Sequence, residues 1–260
     1  MKNMYFLNDK IANNYLKNNG IKICHGIYRI DDTIIKRFNP DKSRMIYDEF
    51  DEKKLLQFKD VDVEQFYFIK SLLFTGAFNI HSTIYKYASG IDIDQKSLAS
   101  YNIDDIINAI GVLQNSIKKL SELGIYANDV NYGNVIFDGM TLSIIDTCEY
   151  YYSENDPSQV YEDNLMYIMN TIFSNLFYTF YQNRFSTVRM IHKYFSIRGS
   201  EFENFRQMDY LMDPVNTLIG MRKFMEEDLG VSLYSFGESF DLIDKAISND
   251  FYSKVRTLNK

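Results

Sequence analysis

The stretch Asn128-Asp129-Val130-Asn131-Tyr132-Gly133-Asn134 decides how this chain is interpreted. Before it, Ile103 to Leu123 carries apolar residues at intervals of three and four, which is typical of a helix. After it, two short apolar runs flank Asp138-Gly139, a hairpin signal, and Asp146 ends the second run. A hairpin returns Asp146 toward the loop, so we expect two carboxylates and one amide to converge. Oxygen ligands of this kind suit Mg²⁺, which takes one or two protein groups together with phosphates and water.

Taken singly, Asp129 and Asn134 have a simpler explanation. Short polar side chains often satisfy the backbone groups of a turn and need no further role. Two interpretations of these residues therefore stay open, a structural turn and a metal-dependent site. The spacing of all the polar residues taken together favours the site.

Composition limits the class of protein. The chain has 260 residues, of which 46% are hydrophobic, enough for one compact bilobal domain or two small ones. A net charge of −7 argues against nucleic acid as the main partner, because phosphate backbones need a basic surface.

Cys24 and Cys148 are the only cysteines, which favours a reduced, cytoplasmic protein. The first 20 residues lack a signal-peptide pattern, and no apolar stretch reaches the roughly 18 residues of a membrane span.

The pattern of secondary structure changes near residue 90. Residues 1–20 read as helical or irregular, and residues 43–58 as a helix. Short β-branched runs in the first part predict five strands: Ile21–Ile23, Ile27–Ile30, Thr33–Phe38, Phe66–Leu73 and Ser82–Tyr87. Asp31-Asp32 is a turn signal, and Ala88-Ser89-Gly90 breaks the pattern. The remainder is mostly helical, with a continuous helical pattern from Asn164 to about Ile247.

This order of elements resembles the protein-kinase-like superfamily. An aspartate, four residues, an asparagine, an apolar run, a turn, an apolar strand and a final aspartate resemble its catalytic loop and metal-binding strand. The resemblance implies an α+β, bilobal fold. An N-lobe at residues 1–87 is expected to be an antiparallel sheet with one helix. A C-lobe at residues 88–260 is expected to be mainly helical.

The resemblance also implies roles for individual residues. Asp129 is expected to orient the acceptor hydroxyl and take its proton. Asn134 and Asp146 are expected to hold Mg²⁺ against the phosphates of ATP. Lys36 matches the lysine that contacts the α- and β-phosphates, and Glu52 matches the glutamate that fixes this lysine.

The nucleotide site follows from the same resemblance. The segment from Ile84 to Gly90 resembles the hinge, so the backbone near Lys86 and Ala88 is expected to bind adenine. Asp92 is a candidate for the ribose hydroxyls, and Asp94 is an alternative. Gly26 remains from a degenerate glycine-rich loop.

Several positions depart from the conventional protein kinases. Ala127-Asn128 replaces the usual His-Arg, Asn131 replaces a common lysine, and Asp146-Thr147-Cys148 replaces Asp-Phe-Gly. No long activation segment is recognisable. Glu49 is an alternative to Glu52 as the partner of the lysine.

Three functions stay open from the sequence. The first is a kinase that transfers the γ-phosphate of Mg-ATP to a protein serine or threonine. The second is a small-molecule kinase, because the catalytic region is also similar to aminoglycoside and choline phosphotransferases. The third is a nucleotide-binding pseudokinase. The sequence names neither the acceptor nor the choice between phosphoryl and nucleotidyl transfer.

Overall fold

A computed structural model describes residues 2–38, 52–76, 79–178, 211–239 and 242. These residues divide into two units. The first unit lies within Met1–Ser89 and Ile144–Tyr150, and the second within Gly90–Ser143 and Tyr151–Lys260. A multi-stranded sheet and several helices are present, so the mixed α and β composition is as the sequence predicts.

The first unit is built mainly from strands. Its helices are α1 (Asp9–Asn19) and α2 (Glu52–Leu55). Its strands are β1 (Met4–Phe6), β2 (Ile21–Cys24), β3 (Ile27–Ile30), β4 (Thr33–Arg37), β5 (Ile69–Thr75) and β6 (Asn79–Lys86).

All six strands form one sheet in the order β1-β5-β6-β4-β3-β2. The pairs among β2 to β6 are antiparallel, whereas β1 lies parallel to β5. Strand β4 is central, since it pairs with β3 on one side and with β6 on the other. This position matters for function because β4 carries Lys36.

Helix α1 covers one face of this sheet. Asn8 caps its first turn by accepting a hydrogen bond from the Ile11 N–H at 3.1 Å. Two fully buried residues of the helix, Ala12 and Leu16, pack against an apolar cluster on the strands. That cluster consists of Tyr28, Ile35, Leu73 and Ile84.

The second unit is mainly helical. Its helices are α3 (Ile103–Glu122), α4 (Pro157–Tyr178) and α5 (Pro214–Leu229). Its short strands are β7 (Ile91–Asp92), β8 (Ile125–Tyr126), β9 (Val135–Phe137), β10 (Leu142–Ile144) and β11 (Tyr151–Tyr152), where the last residue of β10 is counted with the first unit. Three-residue 3₁₀ turns occur at Leu98–Ser100, Tyr132–Asn134 and, in the first unit, Thr147–Glu149.

Helix α3 is confirmed almost to the residue. The Asn102 side chain accepts hydrogen bonds from the N–H groups of Asp104 and Asp105 at 2.8 and 3.3 Å. Gly124 follows the helix with a φ of 69°, the left-handed conformation that ends many helices. The buried residues recur at intervals of three and four, as the apolar pattern predicts.

Other predicted boundaries need correction. Strand β1 was not predicted, because three residues give too short a pattern to distinguish from an irregular segment. Helix α4 begins at Pro157 rather than near Asn164. The predicted helical run to Ile247 is interrupted at residues 211–213 and 230–235. The predicted helix at residues 43–58 lies partly outside the described residues, and its described part is helical only over Glu52–Leu55.

Candidate functional site

Two of the predicted site residues meet in the first unit. The Lys36 ammonium group forms an ion pair and hydrogen bond with Oδ2 of Asp146. The two residues are 110 positions apart in the chain, so this contact depends on the tertiary fold. The Lys36 side chain is 40% exposed and that of Asp146 is 20% exposed. Both charged groups are therefore partly shielded from water and still open to a ligand.

The backbone at Asp146 explains how its side chain is presented. Asp146 has a left-handed conformation, with φ 58° and ψ 49°, immediately before the 3₁₀ turn Thr147–Glu149. Its carboxylate does not cap that turn. Two contacts fix the surrounding chain: the Ile144 N–H donates to the Gln65 carbonyl at 2.6 Å, and the Thr147 hydroxyl donates to the Tyr67 carbonyl at 3.1 Å.

Gly26 lies in the turn that precedes the strand partner of Lys36. The next residue, Ile27, is the Cα partner of Lys36 in the β3–β4 pair. The Gly26 carbonyl accepts a hydrogen bond from the Arg37 N–H at 2.8 Å. The resemblance predicts phosphate contacts for both Gly26 and Lys36. In the structure these two residues are close neighbours. The turn that contains Gly26 is a tight two-residue connection between β2 and β3.

The predicted hinge residues follow the end of β6. Lys86 is exposed and pairs with Thr33, while Ala88 is buried. Between them, the Tyr87 N–H donates to the Asp32 carbonyl at 2.7 Å. The Tyr87 ring also contacts the Arg29 guanidinium, 3.8 Å from the ring centroid. These contacts fix the backbone of the segment that is predicted to bind adenine.

No ion pair between Glu52 and Lys36 is present among the described residues. Glu52 is the exposed first residue of α2, and in the described part of the chain it forms no ion pair. The alternative, Glu49, lies outside the described residues. Its pairing with Lys36 stays a prediction, as does that of Glu52.

In the second unit, the loop after β8 holds Asp129 in a defined conformation. Asp129 has a φ of 54°, and its side chain is exposed. Its carbonyl accepts a hydrogen bond from Nδ2 of Asn134 at 2.7 Å. Its Oδ1 accepts one from Nδ2 of Asn131 at 3.2 Å, and Oδ1 of Asn131 in turn accepts one from the Gly133 N–H at 3.0 Å. The two asparagines therefore fix both the backbone and the carboxylate of Asp129.

Asn134 is 9% exposed. It uses Nδ2 for the bond to Asp129, and the described residues show no hydrogen bond to its Oδ1. This oxygen has the chemistry of a magnesium ligand.

Buried polar side chains of helix α4 hold the main chain of this loop through hydrogen bonds. Oδ1 of Asn164 accepts a hydrogen bond from the Ala127 N–H at 2.7 Å, and its Nδ2 donates to the Ile125 carbonyl at 2.9 Å. Two turns farther along the same face of the helix, the Thr171 hydroxyl donates to the Val130 carbonyl at 3.0 Å. The segment that carries Asp129 is thus tied to α4 on both sides of the aspartate.

Neither Asn164 nor Thr171 is among the predicted site residues, and the sequence pattern shows only that a helix begins near Asn164. Both stand seven residues apart, which places them on the same side of a helix. Polar residues at that spacing among apolar neighbours are a usable signal of a buried anchor, because a buried amide requires partners.

Asp92 is engaged in a local turn. Its Oδ1 accepts a hydrogen bond from the Gln95 N–H at 2.9 Å, and its Oδ2 accepts one from the Gln95 side chain. The hydrogen bonds of this turn therefore account for the Asp92 carboxylate without a nucleotide. The ribose role, and that of the exposed alternative Asp94, stays a prediction.

Burial and the Asp146 charge affect two neighbouring groups in the first unit. Burial, followed by the nearby Asp146 carboxylate, raises the pKa of the Cys148 thiol to about 12. The same two causes raise the pKa of the Tyr85 hydroxyl well above its usual value. Both groups are therefore protonated at neutral pH and can donate a hydrogen bond. Cys148 is not an activated nucleophile.

The carboxylate and amide oxygens described above are compatible with a cation whose other ligands are phosphate and water oxygens. The described residues contain no group of three or more His, Cys, Asp and Glu side chains placed to hold a metal ion. Mg²⁺ does not need such a group, since one or two protein oxygens suffice when phosphates and water supply the rest. Among the described helices, none combines the length and apolar character needed to cross a membrane.

Comparison with known proteins gives no assignment. The sequence matches no protein-family profile and no curated protein.

Proposed function

We propose that this chain is an ATP-dependent phosphotransferase with a protein-kinase-like, bilobal fold. The observation that carries the proposal is the ion pair between Lys36, on the central strand β4, and Asp146, in the left-handed turn after β10. The sequence resemblance selects these same two residues for the phosphates and for the metal, and the fold brings them together from 110 positions apart. The first unit corresponds to the N-lobe in this proposal, and the second to the C-lobe.

The chemistry of the pair fits an ATP complex. An ammonium group can bind phosphate oxygens, and a carboxylate can bind the cation that accompanies them. Without ligand, each charge compensates the other. With Mg-ATP, Lys36 would turn to the phosphates and Asp146 to the cation, so no charge is left unpaired. Mg²⁺ would neutralise the charge of the phosphates, which a loose phosphoryl-transfer transition state requires.

The second unit supplies the proposed base. Transfer forms a bond between the acceptor oxygen and the γ-phosphorus and breaks the bond from that phosphorus to ADP. Asp129 takes the proton of the acceptor hydroxyl. Its carboxylate is exposed, and its loop is fixed by Asn134 and by the buried bonds of Asn164. Such rigidity is what positioning catalysis needs.

The expected acceptor is a protein serine or threonine. One observation favours the alternative, a small-molecule hydroxyl. Only residues 147–156 separate Asp146 from α4, and within them Tyr151 and Tyr152 pair with β8. This leaves no room for the long activation segment that serves protein substrates in conventional kinases. A cytoplasmic location remains a prediction from the cysteines.

A labelled-nucleotide assay tests the function. The purified chain is incubated with Mg²⁺ and ATP labelled at the α- or the γ-position, alone and with cell extract separated into protein and small-molecule fractions. We expect transfer of the γ-label only. Label on protein supports the first acceptor, and label on a small molecule supports the second.

Two variants and their controls decide the roles. Asp146→Ala is expected to weaken Mg-ATP binding in calorimetry, whereas Asp60→Ala, which removes an exposed acid of the same unit, leaves it unchanged. Asp129→Ala is expected to abolish transfer while ATP binding persists. A chain that binds Mg-ATP through Asp146 and transfers no label is a pseudokinase. Wild-type affinity in Asp146→Ala refutes the proposed function.

A further inference from the structure

The Asp146 carboxylate accepts two side-chain hydrogen bonds in the first unit, and a third donor group lies near it. Oδ2 accepts from the Lys36 ammonium group. Oδ1 accepts from the Cys148 thiol, with an Sγ–Oδ1 distance of 3.6 Å. The Tyr85 hydroxyl lies near this carboxylate and near the Thr83 side chain. Only the lysine belongs to the catalytic set that the sequence predicts.

The register of the sheet places Tyr85 beside Lys36. Lys36 on β4 is paired with Thr83 on β6, and Ile34 is paired with Tyr85. Residues two apart on a strand point to the same face, so Lys36 and Tyr85 share a face as diagonal neighbours. Tyr85 is only 6% exposed.

The Tyr85 ring belongs to an apolar cluster that also contains Leu55, Ile69, Leu72 and Phe74. Packing against this cluster fixes the ring, and a phenol hydroxyl buried in this way requires a hydrogen-bond partner. Asp146 and Thr83 are the polar side chains near it. Cys148 packs against the same cluster from the turn after Asp146. Both donors are therefore held by the core of the unit rather than by the surface.

The backbone around Asp146 is fixed separately. Ile144 is bonded to Gln65, and Thr147 is bonded to Tyr67. Because the main chain is held on both sides, the orientation of the carboxylate depends on the torsions of its own side chain. Those torsions are set by the three donor groups.

We propose that Tyr85 and Cys148 are positioning residues that hold the Asp146 carboxylate in the orientation in which it receives the cation of Mg-ATP. The inference rests on the proposed function and deepens it. Hydrogen-bonded partners of a metal-binding carboxylate fix its direction, and loss of such a partner typically costs about 10–100-fold in metal affinity or activity. The lysine cannot fill this role in the complex, since it is then engaged by phosphate.

The test separates the cation from the nucleotide. Affinity for ATP is measured by calorimetry with and without Mg²⁺ in Tyr85→Phe, which removes only the hydroxyl. We expect roughly a tenfold weaker affinity with Mg²⁺ and unchanged affinity without it. Tyr28→Phe is the matched control, because it removes the same group from a buried tyrosine on the α1 side of the sheet. It should bind as the wild type does.

Cys148 provides an independent pair of variants. Cys148→Ala removes the donor and should weaken Mg-ATP binding, whereas Cys148→Ser keeps a donor and should restore it. This rescue would not occur if the residue served only to fill space. Thermal melting of each variant shows that it is folded, and the cysteine pair decides the question if Tyr85→Phe does not fold.

The outcomes for this inference and for the proposed function are distinct. Wild-type Mg²⁺ dependence in Tyr85→Phe and Cys148→Ala, with a loss in Asp146→Ala, overturns the positioning role and leaves the function standing. Equal losses with and without Mg²⁺ also overturn it, since they indicate a general disturbance. Unchanged affinity in Asp146→Ala overturns both.

Discussion

Replacement of Asn164 by alanine tests how firmly helix α4 holds the loop that carries Asp129. The amide of this fully buried side chain bonds the Ala127 N–H and the Ile125 carbonyl, at 2.7 and 2.9 Å. It also donates to the Ser121 hydroxyl, which keeps its own bond to the Ile117 carbonyl. Alanine therefore leaves two main-chain groups without their partner. At roughly 1–3 kcal/mol for each stranded buried group, we expect a loss of about 2–6 kcal/mol in the free energy of unfolding.

Asn175 offers a matched control on the same helix. It is also fully buried, and its amide accepts from the Leu98 N–H at 2.8 Å and donates to the Ile93 carbonyl at 2.7 Å. Asn175→Ala thus removes the partner of two main-chain groups, Leu98 N–H and the Ile93 carbonyl, in a different segment. The two variants should be destabilised to a similar extent, which separates loss of stability from loss of the loop anchor.

Two measurements follow for both variants at a temperature where they remain folded. Urea unfolding monitored by circular dichroism gives the stability. Hydrogen exchange at the Ala127 amide, together with phosphoryl transfer, reports on the loop. We expect faster exchange and lost transfer in Asn164→Ala alone. The reasoning is refuted if Asn164→Ala costs less than about 1 kcal/mol, or if Asn175→Ala accelerates Ala127 exchange equally.

Three further predictions concern single positions. Asp129→Asn should abolish phosphoryl transfer and leave ATP affinity nearly unchanged, and full retained turnover would contradict its role as the base. Gly90→Ala should lower stability in urea unfolding by at least about 1–3 kcal/mol, because φ is 119° and an added Cβ would lie 2.5 Å from the Phe137 carbonyl oxygen. With its pKa at about 12, Cys148 should be about 10⁻⁴ thiolate at pH 8, so iodoacetamide should modify the exposed Cys24 first. Mass spectrometry measures the rate at which each cysteine is modified in the native protein, and equal rates for Cys24 and Cys148 would count against that pKa.

Local signals in the sequence predict local structure well. The limits of α3 follow from a capping asparagine and a terminal glycine, both of which act within one turn of the helix. The β9–β10 hairpin follows from Asp138-Gly139, where the Asp138 side chain accepts bonds from the N–H groups of Met140 and Thr141. These features need no knowledge of distant residues.

Errors arise where a tertiary contact decides the structure. Strand β1 exists because Met4, Tyr5 and Phe6 pair with β5, some 70 positions away, and no three-residue pattern reveals that partner. The helical pattern in the sequence begins only near Asn164, whereas α4 begins at Pro157. In the structure Asn164 is fully buried in the second turn of α4, where three hydrogen bonds to other segments outweigh its weak helix propensity.

In the candidate site as well, the sequence identifies individual residues but not the contacts between them. Spacing along the chain was enough to propose Lys36 and Asp146, but not to show that they meet, since 110 residues lie between them. The turn at Asp31-Asp32 fixes the β3–β4 pairing locally, whereas the β4–β6 register, which places Tyr85 beside Lys36, depends on a long connection. A one-residue slip in that register would move Tyr85 to the opposite face of the sheet and carry its hydroxyl away from Asp146. The residues that bind a ligand can therefore be proposed from sequence, while those that orient them become visible only when the register is known.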